Sequence, residues 1–330
     1  MTSTPQQLLR APVFHTPRNP FLSEAALEAF SDGGLLIGNG RVIACGDYAA
    51  LHAQYPQATV RDLRSGFLLP GLVDTHIHFP QIRILGSLGL GLLDWLNQHA
   101  LPEEARLADQ EYARAVAREF VHALAAHGTT TALVFGAHFQ FATAALFETA
   151  ARSGLRVVSG LVVSDRQLRP ELHQTPEAAY SASKDLIRSF HGKGRLLYAV
   201  TPRFALSTTE AMLEMCQSLL REHPDVRFQT HLNENSQEVS GVLKLFPWAK
   251  DYLGVYERYD LVGRGRYWHT TYIQPTTSCS GSLRARQASP TVRAATRRWE
   301  ADGFRCAVTF TPVYALRWAQ MLAVEPALGC

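Results

Sequence analysis

From residue 67 onward, short apolar runs alternate with stretches of helical period, and this alternation predicts an α/β fold built on a parallel sheet. The runs read as strands buried on both faces, as strands covered by helices must be. No GxGxxG follows the first run, which would have favoured a dinucleotide-type open sheet. An open doubly wound sheet and a (β/α)8 barrel both remain compatible with the pattern.

The chain before residue 67 has a different rhythm. In "GGLLIGNGRVIACGDYAAL" and "ATVRDLRSGFLLPG", short apolar runs are separated by Gly and Asn-Gly turn signals, which read as β-hairpins of a small β module. The strand-like runs that follow are "LLPGLVDTHIHF" (68–79), "TTTALVFG" (129–136), "RVVSGLVVS" (156–164), "RLLYAVTPR" (195–203) and "RFQTHLNE" (227–234). Between them, "EYARAVAREFVHALAAHG", "FATAALFETAARSG", "PEAAYSASKDLIRSFHG" and "TTEAMLEMCQSLLREH" space their apolar residues by three and four, as helices do.

Composition excludes several classes. The 330 residues are 46% hydrophobic and 18% charged, enough to bury a large core, and no stretch near eighteen apolar residues exists. The N-terminus lacks an apolar segment behind a basic start, so the expectation is a cytoplasmic protein with no membrane partner. Cys45, Cys216, Cys279, Cys306 and Cys330 are odd in number and form no Cys-x-x-Cys pair, which argues for reduced thiols and against a thiolate zinc site. A formal charge of +3 is too small to suggest nucleic acid as a partner. That charge is uneven: residues 264–330 carry +6, with nine Arg and no Lys, and leave −3 for the rest.

The chemistry concentrates at the ends of the strand-like runs. In a barrel those ends meet at one mouth, and here they read His76 and His78, Arg203, and His231 followed by Glu234. Residues i and i+2 of a strand share a face, so His76 and His78 can offer two imidazoles to one ion at the end of a strand that should bury Leu72 and Val73. The bare spacing is weak, because thirteen His scattered over this length would produce a His-x-His roughly half the time. Asp74 before the pair, Pro80-Gln81 after it, and the second strand end "HLNEN" strengthen it. A histidine trio beside a carboxylate that is not itself a ligand is what hydrolysis through a zinc-activated water requires.

Taken together, "PGLVDTHIHFPQ", "LLDWLNQHALPEEARLAD", "TPRFALS" and "THLNENSQEV" closely resemble the guanine deaminase family of the amidohydrolase superfamily, over nearly all of residues 7–263. The resemblance implies an α/β (β/α)8 TIM barrel, incomplete here at about five βα units, with a small N-terminal β-sandwich subdomain. The expected division is 1–66 for the β-sandwich part, 67–263 for the barrel and 264–330 for a tail. It implies one Zn2+ held by His76, His78 and His231, with Glu234 as the catalytic proton shuttle. Gln81, Arg203 and Phe204 are implied to bind the substrate, the first two at the purine's polar edge and Phe204 beside the ring. The implied reaction is hydrolysis of guanine to xanthine and ammonia in purine catabolism, by a cytoplasmic homodimer.

Beyond residue 263 the resemblance stops. The family should next show Ala-His-Asn-x-His-Pro, then Ala-His-Cys-Pro-x-Ser-Asn, then a strand ending in Gly-Thr-Asp that supplies the last zinc ligand. Instead the chain reads "RGRYWHTTYIQPTTSCSGSLRARQASPTVRAATRRWE". A shift of frame restores all three. With each codon taken as the last base of one codon and the first two of the next, "RYWHTTYIQ" can encode Val-Leu-Ala-His-Asn-Val-His-Pro. In the same frame "SPTVRAAT" can encode Ala-His-Cys-Pro-Ser-Ser-Asn, and "ALRWAQML" Val-Ala-Leu-Gly-Thr-Asp-Val. The expectation is therefore an out-of-frame tail from about residue 264, and a chain that is inactive as written. A related amidohydrolase acting on a pterin or a chlorotriazine, and a non-catalytic protein whose basic tail binds an acidic partner, are the competing readings.

Overall fold

The computed structural model describes residues 6–19, 22–87, 89–263 and 266–269. The chain opens with β1 (Gln7–His15), β2 (Glu28–Gly38), β3 (Arg41–Asp47), α1 (Tyr48–Gln54) and β4 (Thr59–Asp62). These strands form one sheet in the order β3-β2-β1-β4. The β2–β3 hairpin turns at Asn39 and Gly40, both at positive φ (52° and 69°), the geometry that an Asn-Gly loop supplies at least cost. The second expected hairpin is absent. β4 instead pairs parallel with β1, because α1 carries the chain across the sheet before β4 begins. Leu8, Leu36 and Leu51 close a small core between this sheet and α1.

β5 (Leu72–His78) then starts a second sheet, followed by the short helices α2 (Leu92–Trp95) and α3 (Leu101–Ala105). The regular alternation continues with α4 (Gln110–Ala126), β6 (Thr129–Phe135), α5 (Gln140–Ser153), β7 (Arg156–Gly160) and the two-residue β8 (Val162–Val163). It ends with α6 (Pro176–Phe190), β9 (Leu196–Pro202), α7 (Glu210–Glu222), β10 (Arg227–His231), α8 (Ser236–Leu245), α9 (Tyr252–Arg258) and β11 (Arg266–His269). The strand order is β11-β10-β9-β7-β6-β5, with β8 also beside β9, and every pairing is parallel. This is an incomplete (β/α) barrel wall with helices on its outer face.

Each helix has a local cause. Asp109, Thr175 and Thr209 cap α4, α6 and α7 by accepting a backbone N–H with their side chains. Asn235 and Glu238 form a reciprocal capping box at the start of α8. The buried helix faces, including Phe120, Leu146, Phe147, Leu186, Leu213 and Leu219, pack against Val134, Val157, Tyr198 and Phe228 of the sheet in one continuous core. Gly160 is required where strands converge: a Cβ there would stand 1.7 Å from the carbonyl oxygen of Ala199.

One expectation about burial is corrected. Leu72 is 57% exposed rather than buried, at the start of β5, which is the terminal strand of the described sheet. The expected incomplete barrel of about five units is present, and one further short strand lies beside it. The backbone of β11, inside the stretch assigned to the tail, pairs in register with β10, His269 opposite His231. The open edge of β10 offers unpaired amides and carbonyls to any segment that can extend beside it. The remaining tail positions, including the other two frame-restored motifs, lie outside the described residues. Among the described residues, no helix is long and apolar enough to cross a membrane.

Candidate active site

At the C-terminal ends of β5, β9 and β10 the sheet opens into a cavity of about 170 Å³. Its lining is His76, His78, Gln81, Leu92, Trp95, Leu96, Arg203, Phe204, His231 and Glu234. All seven residues singled out from the sequence therefore face one space, although up to 158 positions separate them in the chain.

The imidazoles are brought together by backbone. Along β5 three steps from Asp74 to Ile77 run opposite two steps from Ala132 to Val134 on β6, a bulge that re-aims the strand beside the mouth. Asp74 steadies this turn by accepting the backbone N–H of His76 at 3.0 Å. The His76, His78 and His231 rings stand with all three pairs of centroids 5.1 Å apart. Phe135, at the end of β6, packs beneath the trio with its ring centroid 5.4, 4.7 and 4.1 Å from those of His76, His78 and His231. Burial pushes the His76 imidazole down to about 4, so it is neutral and able to donate a lone pair across the physiological range.

The ring nitrogens fit a divalent ion. One candidate ligand atom from each histidine lies within 4.8 Å of the others. His231 Nδ1 lies 2.7 Å from the carbonyl oxygen of Arg203, which puts the proton on Nδ1 and turns Nε2 towards His78. The Nε2 atoms of His78 and His231 are 3.1 Å apart. Two nitrogens sharing one tetrahedral zinc at ordinary bond lengths stand roughly 3.3 Å apart, so little movement is needed to seat the ion.

Glu234 follows β10 on the same rim. Deep burial of its carboxyl, reinforced by the neighbouring Glu238 and opposed by Arg203, raises it to about 8. Its backbone is pinned: Glu238, fully buried, accepts the N–H of Glu234 at 2.7 Å and that of Asn235 at 3.3 Å, and receives the Tyr252 hydroxyl at 2.6 Å. A carboxyl poised near neutrality can both take and give a proton.

The opposite wall joins an apolar surface to two polar side chains. Phe204 is buried against Leu96, Ala100, Leu101 and Leu172, and Leu92 and Trp95 extend that apolar surface to the opening. Gln81 and Arg203 sit on it as the polar pair. Sequence reasoning missed what holds them. Glu104, 3% exposed, receives Arg203 Nη1 at 2.6 Å and Gln81 Nε2 at 2.9 Å on its two carboxylate oxygens. Glu104 and Trp95 both lie inside "LLDWLNQHALPEEARLAD", so the quoted motif contained them, but nothing in its spacing shows which residues reach the cavity.

Residues 67–282 match the model of the amidohydrolase family. The chain is 53% identical over 289 residues to a probable guanine deaminase of Deinococcus radiodurans, covering 86% of this chain and 65% of that protein. It is 43% identical over 253 residues to the guanine deaminase of Escherichia coli, covering 76% of this chain and 58% of that one. The crystal structure of guanine deaminase from Bradyrhizobium japonicum superposes with a TM-score of 0.79 at 40% identity, over 82% of this chain and 59% of that chain. The chain thus spans less than two thirds of the length of these relatives. On the extent of the family match and the site that the strand ends build, the chain belongs to the amidohydrolase family.

Proposed function

We propose that this site is built to deaminate guanine hydrolytically, giving xanthine and ammonia, with one zinc ion on His76, His78 and His231. The observation that carries the reading is the meeting, around one cavity, of three imidazoles, a carboxyl raised towards neutrality, and a polar pair on an apolar wall. Zinc, when bound, supplies the Lewis acidity that makes water nucleophilic near neutral pH. Glu234 takes a proton from the attacking water and delivers it to the ring nitrogen beside the carbon that bears the exocyclic amine. The proton of the added hydroxyl then passes by way of Glu234 to that amine, the C–N bond breaks, and ammonia leaves as the new carbonyl forms. Arg203 and Gln81 bind the base's polar edge and fix its orientation. Phe204, Leu92 and Leu96 give the ring an apolar surface and limit water around it. The names of the most similar relatives support guanine as the small-molecule substrate. Cytoplasmic location and a homodimeric assembly complete the reading.

The same reading takes residues from about 264 onward as out of frame, so that this chain lacks the later histidine motifs and the last aspartate ligand and does not turn over guanine. The test has two parts. The underlying nucleotides should encode the three missing motifs in the alternative frame across residues 266–322. A frame-restored protein should then be offered guanine, a pterin and a chlorotriazine. Preference for guanine supports the reading, whereas turnover of either other ring in its place transfers the site to a different heterocycle.

A further inference from the structure

We infer that Glu104 is a positioning residue that sets which purine edge the cavity accepts, an assignment that rests on the proposed guanine site. A carboxylate can only accept hydrogen bonds, so the amide nitrogen of Gln81 must face Glu104 Oε1, where it lies at 2.9 Å. The amide oxygen of Gln81 is then the end left to turn elsewhere, and Gln81 lines the cavity. Glu104 Oε2 holds Arg203 Nη1 at 2.6 Å and lies 3.4 Å from Nδ1 of the buried His138. Arg203 presents donors only.

Glu104 therefore imposes a fixed pattern on the wall, a donor from Arg203 beside an acceptor from Gln81. That pattern matches the lactam edge of a 6-oxopurine, whose carbonyl accepts and whose adjacent ring N–H donates. It opposes a 6-aminopurine, in which both roles are reversed. Without Glu104 the Gln81 amide could rotate to offer either end, and the discrimination would be lost. A buried Glu–Arg pair is a poor source of net stability, which makes an orienting role the better account of a carboxylate held beneath an open cavity.

The 330-residue chain, zinc-loaded, is equilibrated by dialysis with guanine or with 2,6-diaminopurine, which keeps the 2-amino group and inverts the 6-edge. The wild-type chain should prefer guanine by about tenfold or more, the value of one or two hydrogen bonds to charged or buried groups. In Glu104→Gln that ratio should fall towards one. The ratio does not depend on the folded fraction, so a merely structural role would leave it unchanged, and an unchanged ratio overturns the assignment. If the wild-type chain binds neither base, the proposed guanine site of this chain fails separately. The side-chain amide signal of Gln81 in 15N spectra then decides: a shifted, slowly exchanging signal lost in Glu104→Gln sustains the positioning role, and a signal identical in both overturns it.

Discussion

The carbonyl oxygen of Arg203 lies 2.7 Å from Nδ1 of His231, while the guanidinium of the same Arg203 is held 2.6 Å from Glu104. One residue thus joins the two halves of the site. Its backbone aims an imidazole at the other two histidines, and its side chain reaches the cavity wall beside Gln81.

In the proposed zinc site, the tautomer set by that carbonyl leaves Nε2 of His231 as the ligand atom. His231→Ala should lower zinc affinity by more than about a hundredfold, since even outer partners of metal ligands are worth 10–100-fold. Metal content after dialysis against a buffered zinc series measures it. Full occupancy in the variant would remove His231 from the metal position.

Phe135 touches all three imidazoles with its ring. Phe135→Ala should destabilise the protein by about 3–5 kcal/mol, as a large buried ring lost to a cavity does, and should weaken zinc binding as well. Urea unfolding with and without zinc separates the two effects. A loss of stability with unchanged zinc affinity would limit Phe135 to packing.

Glu234 predicts a pH dependence whose sign follows from its raised value. Its carboxyl is at about 8 in the folded chain, against about 4.3 when unfolded. The folded state therefore binds more protons, and the contribution of Glu234 to stability is full below about pH 4 and is lost as pH rises through about 8. Metal-free Glu234→Gln should gain on the wild type between pH 5 and pH 8, by at most about 1.4 kcal/mol per pH unit. Parallel stability curves for the two proteins would contradict the buried placement of this carboxyl.

The same substitution tests the chemistry. In a frame-restored protein Glu234→Gln should lower kcat by about 10²–10⁴-fold, the usual contribution of positioned proton transfer, with less change in KM. A variant with near wild-type kcat would assign the proton to another group.

Much of this was legible because it is local. The alternation of runs marked the strands and helices, and His76, His78, Arg203 and His231 stood at strand ends where a barrel gathers chemistry. What was not legible depends on partners far apart in the chain. Glu104 meets Gln81 across 23 positions and Arg203 across 99, and no pattern in the sequence reports a contact at that distance. β4 read as half of a hairpin because its turn residues carry no information about α1 moving it beside β1. Leu72 read as buried because an apolar residue in a strand is silent about whether that strand has a second neighbour.

The most direct test is ammonia release from guanine by a frame-restored, zinc-loaded protein, followed before and after chelation. One ammonia and one xanthine per guanine, abolished by the chelator and recovered on adding zinc, is the expected result. A protein that holds one zinc per chain and leaves guanine untouched would contradict the account.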